Sequence, residues 1–226
     1  MTLAEKAYQE IRRHIVDGSL RPGEPLRMAA LRERYGMAFS PLREALSRLQ
    51  SERLVVSVAM CGFSVAPLSV PEMRDAMQTR VLIDTEALRL AIRHGDDAWE
   101  SAIVAAHHAL QRETRRGPRK GEDRRDMLEQ RHQEFHSALI ASCSSNWLLD
   151  ISRKLYAETQ RYRYPTLATP GSAGGRDVAG EHEQLMQAAV ARDSRLACRL
   201  LREHLDRTTA DLEARLGKVL EGAAMV

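Results

Sequence analysis

Residues 40–54, SPLREALSRLQSERL, decide the fold. Ser40 stands at an N-cap position, Pro41 follows at the first helical position and Glu44 falls in the first turn, which together open a helix. Leu42, Leu46 and Leu49 or Ala45 form its apolar stripe, and Arg43 and Arg48 lie on the polar side. Upstream, RMAALRERYG (27–36) reads as a short helix closed by Gly36. Before it, LAEKAYQEIRRHIVDG (3–18) places Leu3, Ala7, Ile11 and Ile15 at helical spacing and stops at Gly18. Between these two helices, SLRPGEPL (19–26) is a turn leading into a short extended piece. Downstream, LVVSV (54–58) and GFSVAPL (62–68) are β-rich runs joined through Ala59-Met60-Cys61-Gly62, a hairpin signal. Three helices and a hairpin in this order describe a winged helix-turn-helix.

Pro67 and Pro71 mark a linker, and from residue 72 onward the pattern is helical throughout. The spacing predicts helices over about 72–94, 97–116, 123–143, 146–164, 176–192 and 193–217, with breaks at RRGPRKGED (115–123) and YPTLATPGSAGG (164–175). The chain is therefore mainly α, with a winged helix-turn-helix at 1–68 and an all-helical bundle at 69–226 for effector binding and dimerisation. Its 226 residues are 43% hydrophobic, enough for real cores, while only 4% are aromatic, so those cores should be aliphatic. No apolar run reaches the roughly 18–20 residues that span a bilayer, and the N-terminus lacks a signal-peptide core. Three widely spaced cysteines without a CxxC speak against a disulfide framework or a thiolate metal site and fit a reducing cytoplasm.

The net charge of +3 is not spread evenly. Residues 1–68 carry 10 Lys/Arg and 7 Asp/Glu, whereas residues 69–226 carry 24 of each. The positive excess sits in the segment that reads as DNA-binding, where a polyanion partner would need it. A recognition helix presents its N-terminal end to the major groove, where arginines reach phosphates or pair bidentately with guanine. Gly62 at the wing tip lets backbone approach a groove closely.

This part resembles the GntR family of bacterial transcription regulators, from IVDGSLRPGEPL through LRERYGMAFSPLREALSRLQSERLV to the wing glycine. SPLREAL is close to the family's T-P-V-R-E-A-L signature. The resemblance implies double-stranded DNA contacts by Arg43 and Arg48, assisted by Arg32 or Arg34, Ser40 and the wing around Cys61-Gly62. Two positions depart from the pattern. The family reads V-S-R ahead of the proline motif where this chain has Met37, Ala38 and Phe39, so a serine cap and a DNA-contacting arginine are missing, and either the operator should differ from the common family sequence or direct base readout should be weaker. The family's glycine before the final Leu-Val is Arg53, which would add a phosphate contact.

In the helical part, Leu128, His132, Phe135, His136 and Leu139 share one buried stripe. His182 aligns with Leu185, Met186 and Ala189, and His204 aligns with Ala197, Leu200, Leu201 and Thr208. Four histidines on three helices thus point into one core. A lone buried imidazole usually finds a hydrogen-bond partner, but four together are satisfied more readily by a divalent transition metal, with Zn or Ni first among the candidates. The same segment resembles the FCD effector domain of FadR-like GntR regulators. Its D-x-x-F-H pattern appears around Phe135-His136, its asparagine at Asn146, and its later histidines at His182 and His204. His132 stands where the family has an aspartate ligand.

The resemblance implies that the metal helps to hold a small carboxylate effector. Arg80, Asn146 and Arg161 are the candidate effector residues, and an i, i+4 pair with Asp84 is the structural alternative for Arg80. The expected mechanism is ligand-gated DNA binding by a cytoplasmic homodimer on a pseudo-palindromic operator, with repression the commoner outcome in such a family. Two rivals remain: a sensor in which the metal is the signal, and a metal-dependent hydrolase. The hydrolase is disfavoured because HQEFH is not H-E-x-x-H and Glu134 should point off the stripe. The chain therefore reads as a regulator and not an enzyme. His107 and His108 are adjacent and read as structural, and His14 and His94 read as exposed.

Overall fold

In the computed structural model, residues 1–58, 62–116, 122–163 and 176–224 are described, the side chains of 122–125 and 218–224 excepted. The chain divides into two compact units, one comprising Met1–Ser69 with Ala157–Pro165, the other Val70–Tyr156 with Thr166–Val226. Among the described residues no helix is long and apolar enough to cross a membrane.

The first unit contains α1 (Leu3–Val16), β1 (Pro25–Leu26), α2 (Met28–Tyr35), α3 (Phe39–Ser51), β2 (Val55–Val58) and β3 (Gly62–Val65). The hydroxyl of Thr2 caps α1 by accepting a hydrogen bond from the Glu5 amide at 3.1 Å, satisfying one of the donors that a helix start leaves open. Gly36 closes α2 at φ +64°, the left-handed conformation that lets the chain turn at once into α3. The two strands of the predicted hairpin pair antiparallel from Val55↔Val65 to Val58↔Gly62. The short extended piece at Pro25–Leu26 adds a third strand on the far side of β3. Ile11, Leu42, Ala45, Leu46, Leu49 and Leu54 are fully enclosed in the core of this unit.

One expectation fails at the start of α3. The helix begins at Phe39, its N-cap is Ala38, and that cap contributes no side-chain hydrogen bond. Ser40 is thus inside the first turn and is not the cap. Pro41 remains tolerable there because the first-turn amides have no intrahelical acceptor, so its missing N–H costs nothing.

Among the described residues the regular elements of the second unit are helices: α4 (Val70–His94), α5 (Asp97–Arg115), α6 (Glu122–Ile140), α7 (Asn146–Arg163), α8 (Val178–Val190) and α9 (Ser194–Ala224), with the end of α7 belonging to the first unit. Asp96 and Asp177 cap α5 and α8, accepting from the Trp99 amide at 2.9 Å and the Gly180 amide at 2.8 Å. α4 packs along α9, α5 against α6 and α8, and α8 against α9. Phe135 and Leu139 on α6, Leu185 on α8 and Leu201 on α9 are buried on the same stripes as the histidines, which sets those imidazoles inside the bundle.

Candidate metal centre and DNA-reading helix

The 3.6-residue period of α6 brings His132 and His136 onto one face, with ring centroids 4.5 Å apart. α8 contributes His182, whose ring lies 5.2 Å from that of His132 and 5.3 Å from that of His136. α9 contributes His204, 5.3 Å from His136 and 4.7 Å from His182. One ring nitrogen from each of the four falls within 4.8 Å of all the others. Four nitrogens held tetrahedrally at about 2.1 Å from one ion lie about 3.4 Å apart, so the rings would close by up to about 1.4 Å to share one ion.

The surroundings keep His136, His182 and His204 neutral. Burial pushes His136 well below the ordinary histidine pKa, and His132, His204 and His182 push it further. Burial likewise pushes His182 well below its ordinary value, with a contribution from His204. His204 is lowered by burial, although the Glu181 carboxylate opposes the shift. Neutral imidazoles are the form that binds metal. The Nε2 atoms of His136 and His182 are buried with no hydrogen-bond partner. Orphaned polar atoms of this kind cost on the order of 1–3 kcal/mol each in a protein core. A metal ion, accepting both lone pairs, removes that cost, so the residues present fit the group.

A second layer orients the rings. His204 Nδ1 lies 2.8 Å from a Glu181 oxygen, so it carries the proton and leaves Nε2 with the lone pair. The 3.4 Å approach of Arg176 Nη2 to the same nitrogen cannot also be a hydrogen bond, because both nitrogens would be donors. Arg176 instead binds Glu181 through two nitrogens at 2.8 and 2.6 Å and Asp211 at 2.9 Å. Although burial opposes it, hydrogen bonds from Arg176, His204 and Arg207 hold the Glu181 carboxyl well below the usual carboxylate range. On the other side, the Tyr156 hydroxyl donates to Glu129 at 2.8 Å. Its oxygen therefore accepts the Nδ1 proton of His132 at 2.8 Å, which again leaves Nε2 with the lone pair.

The residues expected beside this cluster are only partly there. Arg80 is buried, and its guanidinium donates from Nε to Asp84 Oδ2 at 2.9 Å and lies 4.7 Å from the Tyr156 ring centroid. Ser152 donates to the other Asp84 oxygen at 2.6 Å. Arg80 is thus near the histidines but holds the i, i+4 ion pair named as its alternative. Asn146 is exposed as the first residue of α7. It lies roughly 15 Å along the helix from Tyr156 at 1.5 Å per residue. Arg161 belongs to the other unit, where its guanidinium donates to the carbonyls of Ala66, at 2.8 Å, and of Pro67. Glu134 pairs with Arg131 at 2.6 Å, off the histidine stripe as expected. His107 is buried against Phe135. His14 is half-buried and bonded to the Tyr35 hydroxyl at 2.8 Å, not exposed. The sequence reading missed Glu129, Tyr156, Arg176 and Glu181. The one available signal was an acidic residue immediately before His182.

In the first unit, α3 turns Phe39, Ser40, Arg43, Glu44 and Ser47 outward. Arg43 is exposed and forms no ion pair among the described residues. Arg48 is committed elsewhere: Nη1 donates to Glu5 at 2.8 Å, and the guanidinium lies 4.0 Å from the Tyr8 ring centroid, tying α3 to α1. Arg32 lies 5.5 Å from the Phe39 ring centroid, and Arg34 5.7 Å from that of Tyr35. Gly62 at the start of β3 takes φ +88°, a conformation that only glycine adopts without strain. Cys61 lies outside the described residues. Arg53 has φ +59°, so it occupies a position whose backbone favours the glycine of the family pattern.

A winged helix-turn-helix followed by a helical unit with buried ligand-type side chains defines a DNA-binding transcription regulator. Residues 3–65 match the description "bacterial regulatory proteins, gntR family" and residues 75–207 match the FCD domain. The chain belongs to the GntR family and carries an FCD domain. It is 37% identical to the uncharacterised HTH-type transcriptional regulator BphR of Paraburkholderia xenovorans over 205 residues, 91% of this chain and 83% of the relative. It is 36% identical to the HTH-type transcriptional repressor GlaR of Escherichia coli over 201 residues, 88% and 90% of the two chains. Among solved structures, Escherichia coli McbR/YncC shares the fold with a TM-score of 0.79 over 96% of this chain and 99% of that one, at 19% identity. These relatives are regulators and not enzymes.

Proposed function

We propose that this regulator is a cytoplasmic, ligand-gated repressor whose helical unit binds one divalent transition metal, zinc or nickel, through His132, His136, His182 and His204. The observation that carries the reading is the pair of orphaned Nε2 atoms on His136 and His182 inside a cluster of four imidazoles. Glu181 and the Tyr156–Glu129 pair would fix His204 and His132 in the tautomer that leaves Nε2 as the donor atom. An all-imidazole set carries no ligand charge, which suits a borderline cation better than Mg or Ca. The bound ion would supply a Lewis-acidic position for a small carboxylate effector.

Arg80 and Arg176 lie beside the cluster, and both already hold carboxylates. A carboxylate effector would compete with Asp84 or Glu181 for them. The homodimer would place two copies of α3 on a pseudo-palindromic operator, and an effector that binds one arrangement better would shift operator occupancy. GlaR is a repressor by name, which supports repression here.

A thermal-shift screen of small mono- and dicarboxylic acids, run with chelator and with added Zn or Ni, tests this reading. Stabilisation by a subset of acids in the metal-loaded protein alone is the expected result. Equal responses in chelated and loaded protein would remove the metal from effector binding.

A further inference from the structure

We propose that Phe39 reads the C5-methyl group of a thymine, fixing an A·T pair in each operator half-site. The inference rests on α3 being the DNA-reading helix. Phe39 is the first residue of that helix and is 48% exposed. It heads a surface row that continues one and two turns later through Arg43 and Ser47, both exposed. The neighbouring Ser40 and Glu44 are exposed as well. Every other side chain in this outward set is polar, so one aromatic ring stands alone among groups suited to base edges and phosphates.

Folding of the first unit gives this ring little. It caps nothing, because the helix N-cap is Ala38 without a side-chain hydrogen bond, and the enclosed core of the unit does not include it. Its ring lies 5.5 Å from the Arg32 guanidinium. That cation–π contact restrains the ring and keeps a positive charge beside it, where a phosphate would pass. The chemistry of the major groove then names the partner. Base edges there present hydrogen-bond donors and acceptors, and the thymine methyl is the one apolar group among them. Closing the ring over that methyl removes apolar area from water. A polar base edge would instead be desolvated without a hydrogen bond.

The test uses the full-length protein. The operator is selected from random duplex DNA, and each thymine is then replaced by uracil, which deletes only the methyl. At one symmetry-related position the wild type should bind the uracil duplex about 4-fold more weakly per half-site, the worth of one buried methyl. Phe39→Ala should bind thymine and uracil duplexes alike while keeping the wild-type salt dependence and melting midpoint, and Phe39→Leu should keep part of the discrimination. The absence of any uracil-sensitive thymine, or an unchanged thymine-to-uracil ratio in Phe39→Ala, overturns the proposal. Arg43→Ala separates this from the premise. If Arg43→Ala weakens binding and Phe39→Ala does not, the thymine contact alone is wrong. If neither changes affinity, α3 is not the reading helix.

Discussion

Replacing His136 by leucine tests the energetics of the histidine cluster from both sides. The imidazole is 6% exposed, and its Nε2 has no hydrogen-bond partner. A buried acceptor in that state costs about 1–3 kcal/mol, and an apolar side chain of similar volume removes the penalty. In chelator, His136→Leu should therefore be as stable as the wild type or up to about 2 kcal/mol more stable. For a chain of this length each kcal/mol moves a melting midpoint by about 2–4 °C. With Zn at about 100 times its dissociation constant the wild type gains about 2.7 kcal/mol, a rise of roughly 5–11 °C by the same conversion. The variant should show little of that rise. Thermal melts followed by circular dichroism, with chelator and with Zn, give all four midpoints. A variant several kcal/mol less stable than the wild type in chelator, together with a wild type whose midpoint ignores Zn, would refute the reasoning, because His136 would then be a satisfied structural residue.

Four further outcomes are expected, one from the histidine cluster and three from the first unit. His136, His182 and His204 all have lowered pKa values through burial, so the unfolded chain takes up protons first as pH falls. Stability of the metal-free protein should be constant above about pH 7 and fall below about 6.5, at up to about 1.4 kcal/mol per pH unit for each histidine, and urea melts from pH 7.5 to 5 measure that slope. Arg43→Ala should weaken operator binding by about 1–3 kcal/mol without moving the melting midpoint. Arg48→Ala should instead lower stability by up to about 1 kcal/mol, because its ring contact and half-exposed ion pair hold α3 to α1. Arg53→Gly should stabilise the first unit by about 1 kcal/mol by relieving the left-handed backbone. If Arg53 touches a phosphate, the same change lowers the salt slope of DNA binding by about 1, which titrations at several salt concentrations would reveal.

Periodicity made much of this molecule legible. The leucine stripe in SPLREALSRLQSERL and the stripe through Phe135 and Leu139 place the recognition helix and the four histidines, because an apolar face must find a core. What a helical pattern does not carry is which neighbour each flank meets. Arg43 and Arg48 both fall on the polar side of the helix, yet Arg48 has Tyr8 and Glu5 of α1 within reach. Arg161 is a candidate effector residue by sequence, and its partners prove to be backbone carbonyls 94 and 95 residues away. The Ser40 cap failed for a local reason. Ser-Pro is a strong opening signal, but Phe39 adopts helical geometry one residue earlier. Glu129, Tyr156 and Arg176 act on the histidines through tertiary hydrogen bonds that no spacing rule encodes.

The central claim is that a metal held by four imidazoles takes part in gating DNA binding. Its most direct test is metal content by mass spectrometry of the purified full-length protein, paired with operator affinity before chelation, after it, and after reloading with Zn or Ni. The account predicts about one ion per chain, as four ligands on a single centre imply, lost in His136→Leu and His182→Leu. It also predicts an operator affinity, or a response to carboxylates, that changes on chelation and returns on reloading. A protein that purifies with no metal, takes up none, and binds operator and carboxylates identically in chelator would contradict it.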